Sequence, residues 1–401
     1  MKNILLLSNI YPTNDPNYFG TAVCHSFTTE WAAMGHNVRV IHFDSLFPQP
    51  YYWVAKLFTE QLQAKTGAVV YTDTPHKPVK YKVDNIPVLF IPLRKLIPHQ
   101  APSKKQISKA FDCLCKELDA EGFVPDVITA HFVLPQLLFM PLLKQKYPNA
   151  KTCLVPHGLS NEFQLFSPDK YRELMKAVDV FGFRSLAFKN DFEKNWGKEK
   201  PTFLCLSGIP EKYIEPVNRD FKDGVKRFAF VGSLLELKNV DVTLKALHKS
   251  MVGKDYTFDI VGSGAEKDKL HRIVDELGMG NHVVFHGQKK RDEAQRIVKE
   301  ADCFIMVSAH EAFGLVYVEA MAKGCIVVGT EGQGIDGVVI NGENGFLCKA
   351  GDVDVLAKLI DHIVSLPQEK LKEISDKAVA TAADLTDRKV AEHYLDAIIN
   401  S

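Results

Sequence analysis

The residues best placed for chemistry lie between Ser308 and Gly324, in SAHEAFGLVYVEAMAKG. A polar loop passes there into a helical pattern. Glu311 and Glu319 stand eight positions apart, with Phe313 and Gly314 between them at the turn. The first N–H groups of a helix have no partner inside it and attract an anion. Two carboxylates around such a start therefore need a reason. Two solvated glutamates on a surface helix are the ordinary alternative. Other clusters of small or polar residues follow predicted strands: NDPNYFGTA, PHGLSNE, GSLLELKN, GSGAEKDK and GQKK. Each alone reads as a strand-to-helix turn. Their recurrence in both halves suggests ligand-binding edges facing each other across a cleft, because doubly wound sheets bind ligands outside the carboxyl ends of their strands.

Several chemistries are disfavoured. GSG at Gly262–Gly264 is only part of a dinucleotide-binding pattern, and no Walker-type loop occurs, which argues against a dehydrogenase or a P-loop enzyme. Asp352 and Asp354 form an Asp-x-Asp, but Asp352 suits the N-cap of the following helix, so no metal is expected there. The eight cysteines include no Cys-x-x-Cys pair and read as reduced thiols. His131, at a strand end, fits a structural role as well as a substrate contact.

The elements that must carry these residues alternate between β-rich runs and helical periodicity. The strands expected are Ile4–Ser8, Val38–Phe43, Val88–Pro92, Val127–Ala130, Thr152–Pro156, Arg227–Val231, Thr257–Val261, His282–His286, Cys303–Val307 and Ile326–Gly329. Helices are expected over Ala22–Met34, Lys104–Glu121, Val242–Lys249 and Arg388–Ile399. Such alternation predicts parallel sheets covered by helices. A chain of 401 residues exceeds one ordinary core, and a polar join over Cys205–Gly224 separates two sets. The expected division is 1–205 and 206–385, with a final helix at about 386–401 completing the first domain. Formal net charge is zero, so no general attraction to nucleic acid or anionic lipid is expected. No apolar run reaches membrane-span length, and ILLL near the start is of strand length, so a cytoplasmic location is expected.

With its neighbours, the opening stretch resembles retaining glycosyltransferases of family four, which have the GT-B fold of two Rossmann-like domains facing across a deep cleft. The family pattern E-x-F-G-L-x-x-x-E-A-M-A-x-G is matched by Glu311, Phe313, Gly314, Leu315, Glu319, Ala320, Met321, Ala322 and Gly324. The resemblance extends through Val328–Asp352, Val231–Leu247, Ile260–Leu270, Pro156–Gly158 and Gly35–Ile41. It is weakest over Pro48–Lys109, in the first domain, which the resemblance assigns to the acceptor, as it assigns the second domain to the nucleotide-sugar donor. Within that family the chain resembles bacterial capsular and exopolysaccharide enzymes.

The resemblance implies a nucleoside-diphosphate sugar donor, UDP before GDP, a glycan or lipid-linked acceptor, and no further cofactor or metal. It places the diphosphate at the helix starting near Gly314, with Glu311 accepting from sugar hydroxyls and Glu319 from ribose hydroxyls. Treated as helix, their spacing spans about 12 Å. Lys238 would neutralise the departing diphosphate, and His157 would lie beside the donor sugar. Gly20 would let the phosphates or the acceptor come close, Gly232 and Ser233 would border the phosphates, and Gly262 and Gly287 would lie near the base and ribose. One departure is Ser233, where the family commonly has arginine. Either another cation substitutes, the enzyme is slower, or it is a non-catalytic regulatory subunit. A sugar-nucleotide epimerase on the same fold is a further alternative. Phe47, Tyr51, Tyr52, Trp53 and Phe58 cluster in the same half of the chain as Arg94, Lys95, Lys104, Lys105 and Lys109, which suggests reversible contact with an anionic membrane face. An aromatic core beside a solvated lysine face is the equal alternative.

Overall fold

A computed structural model describes residues 1–13, 22–59, 74–96, 100–158, 163–214 and 219–401. Among these, the first sheet contains β1 (Asn3–Ser8), β2 (Asn37–Leu46), β3 (Val79–Val83), β4 (Ile86–Arg94), β5 (Val127–His131), β6 (Lys151–Val155), β7 (Val180–Phe183) and β8 (Thr202–Leu204). Their order is β3-β4-β2-β1-β5-β6-β7-β8, parallel except for the β3–β4 pair. The second sheet contains β9 (Arg227–Val231), β10 (Thr257–Val261), β11 (Val283–Gly287), β12 (Cys303–Ile305), β13 (Ile326–Thr330) and β14 (Phe346–Cys348). It is parallel throughout, in the order β11-β10-β9-β12-β13-β14. The molecule thus has two Rossmann-like α/β domains.

Burial on both faces explains the unbroken apolar runs. In β1, Ile4 and Leu6 join one core and Leu5 and Leu7 the other, all four fully buried. The β3 strand, VKYKV, shows the opposite logic: it lies at the sheet edge with its lysines exposed, which discourages further pairing. All the expected strands form, although β12 ends at Ile305 rather than Val307. The sequence reading omitted β3, β7, β8 and β14. The last two span only three residues each, too few to show a period.

The chain crosses between the sheets twice at one place. The Ile209 N–H donates to the Leu385 carbonyl at 2.9 Å, and the Asp387 N–H donates back to the Ile209 carbonyl at 2.9 Å. Helix Asp387–Ile399 then lies against helix Val23–Ala33 of the first domain. Trp31 Nε1 donates to the Ala391 carbonyl at 2.9 Å. The fully buried Tyr394 ring meets Phe27 at 5.0 Å and Trp31 at 5.2 Å between centroids. Strand order reverses between β1 and β5 and again between β9 and β12. Connections leave such neighbours in opposite directions and open a crevice at their carboxyl ends.

Candidate functional site

The crevice of the second sheet is built by the loops after β9 and β12. After β9 the chain makes a single 3-10 turn, Glu236–Lys238, and reaches Asn239 in the left-handed region, φ 52°. After β12 it runs without regular structure to Gly314. Two hydrogen bonds join these loops: the Ala309 N–H to the Leu237 carbonyl at 2.7 Å, and Asn239 Nδ2 to the Val307 carbonyl at 2.8 Å. Beside them, Lys238 Nζ donates to Glu311 Oε2 at 2.5 Å, with both side chains 16% exposed. The sequence separates the pair by 73 residues, and the strand order brings it together.

Gly314 is the N-cap of helix Leu315–Ala322, at φ 82°. A Cβ there would lie 2.5 Å from the buried Tyr317 ring, so the turn itself requires glycine whether or not a ligand approaches. No side chain caps this helix, which leaves its first N–H groups available to an anion. The spacing of the glutamates is not a run of helix, however: Glu311 precedes the turn, and only Leu315 to Glu319 of that interval is helical. Phe313 is buried, with the Arg184 guanidinium 5.8 Å from its ring centre. Arg184 is itself buried and donates to the Cys205 carbonyl at 2.6 Å and to Ser207.

Glu319 is 6% exposed and already engaged. Arg291 Nε and Nη2 donate to its Oε1 at 2.7 and 2.5 Å, and Gln295 Nε2 donates to Oε2 at 2.5 Å. Burial raises its pKa above the usual carboxylate value, while Arg291 and Gln295 oppose that rise. The two Arg291 donors fill Oε1, and Oε2 keeps capacity for one further donor. Sequence reasoning missed both partners. A signal was present in Arg291, which opens the helix after GQKK four residues before Gln295, but periodicity does not say which neighbour they face.

Three predicted glycines meet at adjacent strand ends. The Gly232 N–H donates to the Val261 carbonyl at 3.0 Å, and the Gly262 N–H to the Gly287 carbonyl at 2.9 Å. Gly262 has φ 148°, and a Cβ there would sit 1.8 Å from the Gly232 oxygen, so close loop packing dictates glycine. Ser233 is exposed next to them, and Leu315 is half-buried at the helix start. Asp352 caps the next helix, accepting from the Asp354 and Val355 N–H groups at 3.1 and 3.0 Å. Gly20 lies outside the described residues.

His157 belongs to the first domain, just after β6. Its Nε2 is 2.8 Å from His131 Nδ1, and its ring stacks on Phe132 with centroids 4.0 Å apart. His131 Nε2 is 3.2 Å from the Tyr394 hydroxyl, which also bonds to Thr129. Burial holds both imidazoles well below their ordinary pKa, so both are neutral near pH 7. His131, ambiguous in the sequence, is therefore the partner of His157. The structure groups Lys238, Glu311, Phe313, Gly314 and Leu315 directly, sets Gly232, Ser233, Gly262 and Gly287 along neighbouring strand ends, and holds Glu319 on the Arg291 side of the helix.

Residues 213–380 match the family model of glycosyl transferases group 1. An uncharacterized glycosyltransferase of Methanocaldococcus jannaschii is 25% identical over 290 residues, 70% of this chain and 78% of the relative. A lipopolysaccharide core biosynthesis glycosyltransferase of Rhizobium meliloti is 35% identical over 106 residues, 26% of this chain and 31% of the relative. The solved structure of the lipopolysaccharide outer core galactosyltransferase WaaB, in its apo form, superposes with a TM-score of 0.70 at 15% identity, covering 99% of each chain. The fold is that of GT-B proteins, and these matches indicate a glycosyltransferase enzyme.

The Arg291–Glu319 pair has a pH signature. Replacing Arg291 by Ala removes the main force holding down a carboxyl pKa that burial already raises. Protonation relieves a buried carboxylate, so the variant should lie closest to wild type below the unfolded carboxyl pKa and lose stability as pH rises through the folded one. The expected loss at pH 7 is about 1–3 kcal/mol. Urea denaturation across acid and neutral pH measures it, and a loss independent of pH would show that Glu319 does not depend on Arg291.

Proposed function

We propose that this glycosyltransferase moves a sugar from a nucleoside-diphosphate sugar to a glycan or lipid-linked acceptor, with retention at the anomeric carbon, in the making of a cell-surface polysaccharide. The observation that carries the reading is the Lys238–Glu311 pair beside an uncapped helix N-terminus where strand order reverses. A diphosphate suits those N–H groups. The Lys238 ammonium has several N–H donors, so it can hold Glu311 and a phosphate oxygen together. As the sugar–phosphate bond breaks, its electron pair stays on the phosphate oxygen and charge grows beside Lys238. The acceptor oxygen bonds to the anomeric carbon on the same face, and its proton passes to the leaving phosphate. A fixed cation is then worth more in the transition state than in the ground state.

Glu311 can accept from donor-sugar hydroxyls through its remaining capacity, and Glu319 from the ribose. Neutral His157 can bond to the sugar without adding charge. UDP is the first nucleotide to test and GDP the second, on the family resemblance. Transfer to an acceptor, as opposed to isomerisation of the donor, is the decisive assay. Lys238→Ala should lower turnover on the order of 100-fold, and near-normal turnover would assign leaving-group neutralisation elsewhere. No metal enters this reading, since Asp352 is a helix cap. Transfer should survive excess EDTA, and loss restored by magnesium or manganese would overturn that.

A contact with the cytoplasmic membrane face belongs to the same proposal. Among the described residues, no helix is long and apolar enough to cross a membrane. Helix Gln49–Leu57 sends Tyr52 into the core but leaves Trp53 63% and Leu57 74% exposed, followed by Phe58 at 50%. Arg94, Lys104, Lys105 and Lys109 are also exposed, whereas Lys95 is half-buried. Apolar residues with nearby cations suit reversible adsorption to anionic lipid. Trp53 fluorescence should change, and the protein should co-sediment, with anionic vesicles at low salt but not with neutral ones. Absence of pelleting under those conditions would remove the membrane step.

A further inference from the structure

His157 is hydrogen-bonded through one ring nitrogen only. Its Nε2 meets His131 Nδ1 at 2.8 Å, and its Nδ1 has no partner among the described residues. Phe132, at φ 72°, stacks on the ring at 4.0 Å and holds that orientation. His131 is fully buried and uses both of its nitrogens, Nδ1 toward His157 and Nε2 toward the Tyr394 hydroxyl at 3.2 Å. A neutral imidazole carries one proton, so it donates from one nitrogen and accepts at the other. Burial, with the Arg184 charge nearby, keeps both rings neutral. If Tyr394 donates to His131, then His131 donates to His157, and His157 keeps its proton on Nδ1. If Tyr394 accepts instead, every direction reverses and His157 Nδ1 is a bare acceptor. The direction of one hydroxyl on the last helix is thus read at the cleft.

Thr129 settles that direction. It is fully buried in β5, and its hydroxyl bonds to that of Tyr394. The Cys153 thiol beside both is a weak acceptor. A buried O–H without a good acceptor is costly, so the Thr129 proton goes to the Tyr394 oxygen. The Tyr394 proton is then left for His131 Nε2. Phenol is also the more acidic partner and imidazole the more basic, which favours the same direction.

We infer that Tyr394 and His131 are positioning residues that fix His157 as its Nδ1–H tautomer, so that His157 offers the cleft a neutral donor and not an acceptor. The inference rests on the reading that His157 lies beside the donor sugar. There it bonds an oxygen lone pair of the sugar, the complement of Glu311, which as a carboxylate can only accept. Control comes from helix Asp387–Ile399, the segment that returns from the second domain to pack on the first. The donor-sugar contact therefore depends on that helix being seated.

Heteronuclear NMR on the full chain, labelled at histidine and held near pH 7, reads which ring nitrogen of His157 holds the proton, and His157→Gln assigns the signal. The wild type should show Nδ1 protonated. Tyr394→Phe keeps the ring against Phe27 and Trp31 but removes the hydroxyl. The two His157 tautomers should then become comparably populated. In titrations of that variant, UDP affinity should hold, while the best-bound of UDP-glucose, UDP-galactose and UDP-N-acetylglucosamine should weaken on the order of tenfold. A proton on Nε2 in the wild type, a tautomer unmoved in the variant, or UDP and UDP-sugar changing alike would overturn the inference. Thermal unfolding checks the variant, and if Tyr394→Phe does not fold, His131→Phe carries the same readings. A wild type with Nδ1 protonated that binds no UDP- or GDP-sugar would instead sink the donor reading, which keeps the two failures apart.

Discussion

The candidate site of the second domain depends on β9 and β12 lying side by side while their connections leave in opposite directions. Their ladder is short, pairing Cys303 with Phe228 and Phe304 with Ala229. Beyond it the two loops cannot continue as sheet, so their polar groups must be satisfied by each other. The bonds from Ala309 to Leu237 and from Asn239 to Val307 do this, and they bring Lys238 against Glu311. The ion pair is thus a consequence of topology. The same constraint crowds the neighbouring loops until Gly262 has room for nothing beyond hydrogen against the Gly232 oxygen.

The first sheet repeats the arrangement between β1 and β5, where Asn9 and Phe132 leave the strand ends. What aligns the two halves is the returning chain. Tyr394, carried on the last helix, bonds toward Thr129 and His131, and His131 in turn holds His157. Arg184 adds a second tie, since it grips the Cys205 carbonyl at the start of the linker and lies over Phe313 of the second domain. The position of His157 relative to the Glu311 loop is therefore built from buried contacts on both sides of the cleft.

The sequence revealed most where physics is local. Parallel strands buried on both faces appear as continuous apolar runs, and Asp352 appears as a cap because its acceptors lie two and three residues ahead. Pairings across the fold were less legible. Nothing in the sequence says that Arg291 and Gln295 will hold Glu319, or that Phe132 will take a left-handed conformation against His157. The aromatic run near Tyr51 was ambiguous because its residues part company: helical geometry buries Tyr52 and exposes Trp53. Gly314 and Gly262 were read for closeness to a ligand, whereas a Tyr317 ring and a neighbouring carbonyl already exclude a side chain.

Charge around the proposed diphosphate follows from the same contacts. Arg291 is committed to Glu319 and Arg184 to the linker, so neither guanidinium takes the place of the cation absent at Ser233. The helix start supplies about half an elementary charge. Before the donor arrives, Lys238 is balanced by Glu311. A bound diphosphate would then be only partly neutralised in the ground state. The further charge that develops as the sugar–phosphate bond breaks would fall beside Lys238. On that proposal a second cation beside the leaving diphosphate would also count for more in the transition state than in the ground state, so serine in its place would lower the rate as well as donor affinity and leave Lys238 and the helix start to carry the neutralisation.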